Sequence, residues 1–92
     1  MIRSFKSKAL AAFWQSGDAA RLDARLVGRL RTRLTRLDAA VAPGEMGAPG
    51  YYFHALKGAR RGQFSVRVTG NWRLTFGWDE TDAVDVDLED YH

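Results

Sequence analysis

The sequence contains no cysteine, so it can form neither a disulfide framework nor a thiolate metal site. A secreted domain of 92 residues usually needs such a cross-link, and we therefore expect the protein in the reducing cytoplasm. No apolar run approaches the roughly 20 residues of a membrane-spanning helix. The apolar run at residues 9–14 is also too short for a signal-peptide core. The sequence predicts a soluble protein that does not contact a membrane.

Common cofactor motifs are absent as well. There is no GxGxxG, P-loop or GxSxG segment. The two histidines, His54 and His92, are 38 positions apart and have no carboxylates at a recognised ligand spacing. We therefore expect neither a metal ion nor a nucleotide cofactor.

Acidic residues are scarce in the first part of the chain, and basic residues are missing from the last part. Residues 1–73 hold all fourteen Lys and Arg and four acids, a net charge of +10. Residues 74–92 hold seven acids and no base, a net charge of −7. This asymmetry predicts either that the basic part binds nucleic acid or that the two parts pair within the fold.

A chain of this length is expected to form a single domain over residues 1–92.

The first half of the sequence has helical periodicity. Residues 2–5 alternate as in a short strand, and the next apolar residues predict a helix that ends at Gly17. Asp18 can cap a second helix of about five turns, whose apolar stripe consists of Leu22, Leu26, Leu30, Leu34, Leu37 and Val41. Proline and glycine make residues 42–50 a loop.

After this loop the hydrophobic period becomes two. Four strands are predicted, over residues 52–56, 64–68, 72–78 and 83–91. The expected fold is α+β, with two N-terminal helices packed on one face of a twisted antiparallel sheet and a short N-terminal strand.

Alternation also assigns faces to the strands. The aromatic and aliphatic residues of the third strand are expected in the core, and Arg67 and Arg73 on the opposite, uncovered face. The alternating acids of the last strand, which include Glu89, indicate an exposed edge that discourages further strand pairing.

Basic residues form the candidate nucleic-acid surface. Arginines flank the leucine stripe and recur in the turn after the first strand, where guanidinium groups can contact phosphates. A solvated helix face and a solvated turn are the alternatives. The predicted RNA-binding set is Arg25, Arg29, Arg33, Arg36, Arg60, Arg61 and Arg67.

Three stretches together resemble one family. They are His54-Ala55-Leu56-Lys57-Gly58, residues 65–76 (SVRVTGNWRLTF) and residues 85–92 (DVDLEDYH). In this order and at this spacing they resemble the HigB group of type II toxins in the RelE/ParE superfamily, and the likeness spans essentially the whole chain. Ala55 stands where the family often has proline, and Phe64 where tryptophan is common.

The resemblance implies a RelE/ParE-like fold and an activity. The expected protein is an endoribonuclease that cleaves messenger RNA in the decoding site of the 30S ribosomal subunit and is silenced by a HigA-like helix-turn-helix antitoxin. The catalytic positions that carry over are His54, Lys57, Arg73, Asp90, Tyr91 and His92.

The reaction that the resemblance implies is attack of a ribose 2′-hydroxyl on the adjacent phosphate without a metal ion. In that mechanism Lys57 and Arg73 would bind the phosphate, and His92 or Asp90 would abstract the proton. His54 would position the substrate or donate a proton, and Tyr91 would stack on or orient a base.

Two other functions remain open at this stage. One is a ParE-like toxin that inhibits gyrase, which would not need the terminal Asp90-Tyr91-His92 sequence. The other is a nucleic-acid-binding module without catalysis. Such a module would lose affinity gradually as charges are removed, whereas an enzyme would lose turnover with binding intact.

Overall fold

The computed structural model describes residues 1–91, and His92 lies outside the described residues. Helix α1 (Lys8–Ser16) begins after Ser7, whose hydroxyl accepts a hydrogen bond from the Leu10 N–H. It ends at Gly17, which has a φ of 75° in the left-handed region. Glycine adopts this conformation without steric cost, so the predicted helix end is confirmed.

Helix α2 (Val27–Ala39) is shorter than the sequence predicted. A 3₁₀ turn (Ala24–Leu26) precedes it because the Asp23 carboxylate accepts a hydrogen bond from the Arg25 N–H and starts the turn there. At the other end Ala40 is extended, which leaves Val41 64% exposed. The predicted bounds were wrong at both ends, but the middle of the stripe is buried as expected at Leu26, Leu30, Leu34 and Leu37.

The four strands form one antiparallel sheet in chain order, β1 (His54–Ala55), β2 (Gln63–Thr69), β3 (Trp72–Asp79) and β4 (Asp82–Asp90). The last three strands begin and end within one residue of their predicted bounds. The first strand is only two residues long, since Tyr52 has a φ of 49° and cannot continue an extended chain. Between α2 and the sheet, a 3₁₀ turn (Pro43–Met46) brings Met46 into the core.

The N-terminal segment pairs with the outer edge of β4. It makes two isolated parallel bridges, Ile2 with Ala83 and Phe5 with Val86, instead of the continuous strand that was predicted. Arg3 also forms an ion pair with Asp82. The acids of β4 therefore do not form the exposed edge that the sequence suggested, because this edge is already paired.

A β-bulge interrupts β4 at the same place. Thr75 is opposite Asp87, but Gly77 is opposite Val84, so β4 carries one extra residue between these pairs. Asp85, which lies in this interval, has a φ of 52°. As a result Ala83 and Val86, three residues apart, are both buried in the core.

The helices cover one face of the sheet. Leu30, Leu34 and Leu37 of α2 belong to one buried cluster with Leu74 and Phe76 of the sheet, which confirms the predicted core face of β3. The other side of the sheet is here named the polar face, and its members are His54, Ser65, Arg67, Arg73, Thr75, Asp87 and Glu89. The sequence predicted that this face would be uncovered, but two of its side chains, Ser65 and Thr75, are buried.

Candidate active site

Strand register brings residues from all four strands together on the polar face. His54 is opposite Ser65, and Ser65 is opposite Thr75, which gives one row across the sheet. In the next row Arg73 lies between Arg67 and Glu89. Directly opposed residues of antiparallel strands point to the same side, and His54 lies two strands, roughly 10 Å, from the strand that carries Arg73.

Tyr91 is held against this face by its backbone and its side chain. Its N–H donates to the Asn71 carbonyl at 2.8 Å, which ties the chain beyond β4 to the β2–β3 turn. Its ring centroid lies 5.8 Å from the Arg73 guanidinium carbon. Its hydroxyl is 3.3 Å from Nη1 of Arg60. Tyr91 therefore lies between two guanidinium groups, one of which the sequence had assigned only to RNA binding.

The orientation of Arg73 is fixed by the turn beside it. Its Nη1 donates to the carbonyl oxygens of Gly70 at 2.8 Å and Trp72 at 3.1 Å. Gly70 has a φ of 53°, and this turn conformation favours glycine. Within residues 1–91 Arg73 makes no ion pair, so its positive charge is available on the polar face.

Glu89 was missed as a site residue. It accepts Nη1 of Arg60 on Oε1 at 2.9 Å and Nη2 of the same residue on Oε2. The Thr75 hydroxyl donates to Oε2 as well, and Nε of Arg60 donates to Gln63 at 2.8 Å. The hydrogen bonds from Arg60 hold the pKa of Glu89 below its usual range, and the Thr75 bond adds to this, while partial burial opposes it. Glu89 reciprocally raises the pKa of Arg60.

His54 and Lys57 border the polar face on the side of β1. The His54 ring is exposed, and its Nδ1 lies 3.1 Å from the Tyr52 carbonyl oxygen. In the tautomer that donates to this carbonyl, Nε2 carries the lone pair. Lys57 is exposed and directly precedes the 3₁₀ turn (Gly58–Arg60) that delivers Arg60 to Glu89.

Asp90 lies on the other side of the sheet. It is opposite Trp72 in the sheet and directly follows Glu89, so its side chain points to the opposite face from that of Glu89. With Arg25, Arg29 and Asn71 it lines a cleft of about 900 Å³ between the start of α2 and the β2–β3 turn. This cleft is not on the polar face. Of the six predicted catalytic residues, the polar face unites His54, Arg73 and Tyr91, with Lys57 at its border. Asp90 is separate, and His92 lies outside the described residues.

Arg33 differs from the other predicted RNA-binding residues. It is only 8% exposed, its Nε donates to the Arg67 carbonyl at 2.7 Å, and its guanidinium carbon lies 4.3 Å from the Tyr51 ring centroid. Burial lowers the pKa of Arg33. The expected phosphate contact is therefore wrong for this residue, which connects α2 to β2 inside the protein.

The other arginines of the RNA-binding set differ in their contacts. Arg25 pairs with Asp23 at 2.7 Å, and Arg36 donates to the Glu45 carbonyl at 2.8 Å. Arg67 lies over the Tyr52 ring at 5.3 Å. Arg29 and Arg61 are exposed and, among residues 1–91, make no ion pair.

The basic and acidic parts of the chain pair with each other within the fold. Arg3 pairs with Asp79 and Asp82 at one end of β4, and Arg60 pairs with Glu89 near the other. These bonds join the basic part to the acidic part, as the second interpretation expected. Nucleic-acid binding by the exposed arginines of α2 stays a prediction.

Neither a metal cluster nor a membrane helix is found in the described chain. No group of three or more His, Cys, Asp or Glu side chains among residues 1–91 could hold a metal ion. No helix in this range has the length and apolar character needed to cross a membrane.

Comparison with known proteins agrees with the fold and the motifs. Residues 3–92 match the family model of the RelE-like toxin of the type II toxin-antitoxin system HigB. The chain is 40% identical over 92 residues to Endoribonuclease HigB of Proteus vulgaris, with all of both chains covered. The fold and motifs thus define a RelE-like toxin, and the chain belongs to the HigB family of type II toxin-antitoxin toxins. The recognition drawn from the three sequence stretches is confirmed.

Solved structures of more distant proteins share the fold. The YoeB dimer from Staphylococcus aureus superposes with a TM-score of 0.61 at 18% identity, covering 99% of this chain and 97% of the other. The YoeB-YefM complex from the same organism gives a TM-score of 0.59 at 17% identity, covering 100% and 98%. The predicted α+β fold is therefore confirmed.

Proposed function

We propose that this toxin cleaves messenger RNA on the ribosome, by attack of a ribose 2′-hydroxyl on the adjacent phosphate and without a metal ion. The endoribonuclease class follows from the HigB family and from the full-length relative that is 40% identical. The observation that carries the proposal is the arrangement of Arg73 and Tyr91 with His54 on one face of the sheet.

The reaction needs three kinds of group. A base removes the 2′-hydroxyl proton, cations stabilise the charge that builds on the phosphate, and an acid protonates the leaving 5′-oxygen. The 2′-oxygen forms a bond to phosphorus as the bond to the 5′-oxygen breaks, so the products carry a 2′,3′-cyclic phosphate and a 5′-hydroxyl.

The chain supplies candidates for each role. Arg73 is oriented by two carbonyl oxygens and stabilises the phosphate together with Lys57. His54, held through Nδ1, donates or positions a proton, and His92 acts as the base, because Asp90 lies on the other side of the sheet. Tyr91, which lies between the guanidinium groups of Arg60 and Arg73, stacks on or orients the displaced nucleotide.

Partners follow from the same surface. The exposed arginines Arg25, Arg29, Arg36 and Arg61 and the half-buried Arg67 contact phosphates of the ribosome or the message. Because a type II toxin is paired with an antitoxin, the chain has an antitoxin partner, and we take it to be a HigA-like helix-turn-helix protein. Residues 1–92 act as one RelE-like domain at the 30S decoding site in the cytoplasm.

Cleavage of a defined message tests the proposal. Purified toxin is mixed with ribosomes programmed with a synthetic message, and with the same message free in solution. We expect cleavage on the ribosome and little without it, because the cleft of about 900 Å³ between the start of α2 and the β2–β3 turn is not lined by His54, Lys57, Arg73 or Tyr91. A single 2′-deoxy substitution at the cleaved position should abolish the reaction. Cleavage of the deoxy message would exclude the 2′-hydroxyl mechanism.

Variants separate catalysis from binding. Lys57→Ala should lower the single-turnover rate about 10²-fold or more, the scale of one lost charge stabiliser, while ribosome association stays nearly unchanged. Arg21→Ala is the matched control, since it removes an exposed cation outside the candidate site. If Lys57→Ala and Arg21→Ala weakened ribosome association equally and neither changed the single-turnover rate, the result would support a binding module and contradict the proposed enzymatic function.

A further inference from the structure

The ion pair between Arg60 and Glu89 is the most extensive polar contact on the polar face, and neither the family resemblance nor the proposed mechanism uses it. We propose that Arg60 and Glu89 are positioning residues: Glu89 holds Arg60, and Arg60 holds the hydroxyl of Tyr91. Arg60 is then not a phosphate ligand, contrary to its assignment from the sequence. This inference rests on the proposed endoribonuclease function.

The donor groups of Arg60 are already occupied within the protein. Nε binds Gln63, Nη1 and Nη2 bind the two carboxylate oxygens of Glu89, and Nη1 also reaches the Tyr91 hydroxyl. A planar guanidinium would bind a phosphate through the same pair of parallel donors. Glu89 therefore occupies the place on Arg60 that a phosphate would need.

Glu89 is itself fixed, so the pair cannot rotate away at low cost. The Thr75 hydroxyl, which is buried, donates to the same oxygen that accepts Nη2 of Arg60. The Glu89 side chain is 24% exposed, and partly buried ion pairs are screened less by solvent than exposed ones. The pair also neutralises one guanidinium beside Tyr91, so that Arg73 remains the cation available on this part of the polar face.

Tyr91 depends on this support. It follows the last residue of β4, and its backbone is tied to the sheet by one hydrogen bond to Asn71. Arg60 contacts the hydroxyl at the far end of the side chain, whereas Arg73 lies beside the ring. Without Arg60, the ring loses the contact that fixes its orientation, and a reaction that needs an oriented nucleotide slows.

The experiment is a double-mutant cycle on programmed ribosomes. Arg60→Gln is made in the native chain and in a Tyr91→Phe chain, which lacks only the hydroxyl. We expect about a tenfold fall in single-turnover rate in the native background, the scale of one hydrogen bond to a charged group. In the Tyr91→Phe background the further loss should be less than about twofold, because coupled residues are not additive. Glu89→Gln alone should lower the single-turnover rate by the same factor as Arg60→Gln. The variant that carries both substitutions should be only slightly slower than either single variant.

Salt dependence of ribosome association distinguishes positioning from phosphate binding. Arg60→Gln should leave the log-log slope unchanged, while the neighbouring exposed Arg61→Gln, as matched control, should lower it by roughly 0.7 to 0.9. Equal rate losses in both Tyr91 backgrounds, or a lower slope for Arg60→Gln, would overturn the inference. Glu89→Gln retains the shape of the side chain and gives the same decision if Arg60→Gln folds poorly. Absence of cleavage by the native chain would instead overturn the proposed function, and this inference with it.

Discussion

The contribution of Arg33 to stability can be tested quantitatively, because this residue is buried although the sequence predicts that it binds RNA. Replacement by methionine retains a long, flexible side chain in the buried position. It removes the 2.7 Å hydrogen bond to the Arg67 carbonyl and the contact with the Tyr51 ring. Hydrogen bonds to charged groups contribute about 1.5 to 3 kcal/mol, and a desolvated cation–π contact about 1 to 2 kcal/mol.

Part of this loss is offset because methionine avoids the burial of a guanidinium, the same burial that lowers the pKa of Arg33. We therefore expect Arg33→Met to lower the free energy of unfolding by about 2 kcal/mol. For a domain of this size that corresponds to a fall in Tm of about 8 to 16 °C. Urea titration followed by circular dichroism at 25 °C would measure the first quantity, and a thermal scan the second.

Arg29→Met is the matched control, since Arg29 lies one turn earlier on α2 and is exposed. It should change stability by less than about 0.5 kcal/mol. The order should reverse for ribosome association, in which Arg29→Met lowers the salt-dependence slope and Arg33→Met does not. If Arg33→Met were as stable as Arg29→Met, the interpretation of Arg33 as a structural arginine would be refuted.

Three further outcomes are expected. Ser65→Ala should be neutral or stabilising by about 1 kcal/mol, because the buried Ser65 hydroxyl has no hydrogen-bond partner among the described residues. Thr75→Val should destabilise by about 1 kcal/mol through loss of its bond to Glu89. A destabilised Ser65→Ala or a stabilised Thr75→Val in urea titrations would contradict this. Folding lowers the pKa of Glu89, so its contribution to stability is complete above about pH 4.3 and is lost as the pH falls through the lowered folded value. The free energy of unfolding of Glu89→Gln should therefore fall less steeply with acid than that of the native chain. Finally, His92→Ala should relieve growth arrest on expression without lowering Tm, and undiminished toxicity at equal protein level would count against His92 in the site.

Much of the sheet could be predicted because its signal is local. Alternation in β2 and β3 places residues such as Val66 and Leu74 in the core, and the structure buries both. The turn between these strands lies within the predicted interval, residues 69–71, and is one residue shorter because β2 includes Thr69. The first strand was overestimated, since nothing in its apolar composition shows that Tyr52 adopts a positive φ.

The errors on α2 have different causes. Leu22 and Val41 continue the three-to-four spacing, but the Asp23 cap and the extended Ala40 set the real bounds. A signal for the burial of Arg33 was present. It lies three residues after Leu30 and four before Leu37, which puts it on the buried stripe and not beside it.

Glu89 could not be identified from its neighbours in sequence. Its partner Arg60 is 29 residues away, and only the register of β2, β3 and β4 brings them together. The acids of β4 alternate as they would on an exposed edge, and the sequence does not show that the N-terminal segment covers that edge. The family resemblance predicted His54, Arg73 and Tyr91 as site residues, whereas the ion pair between Arg60 and Glu89 required the structure.

The bulge in β4 couples insertions and deletions at two distant places in the chain. Ile2 and Phe5 are three residues apart, as are their partners Ala83 and Val86, so both sides of this edge carry the same odd spacing. Deletion of Asp85 alone would restore a regular ladder between β3 and β4 and leave Asp87 and Glu89 on the same face of the sheet. The segment from Ile2 to Phe5 would then be one residue longer than the stretch of β4 with which it pairs. Loss of one residue between Ile2 and Phe5 at the same time would restore the match. Length changes in these two segments, about 80 positions apart in sequence, should therefore be tolerated as a pair and not singly.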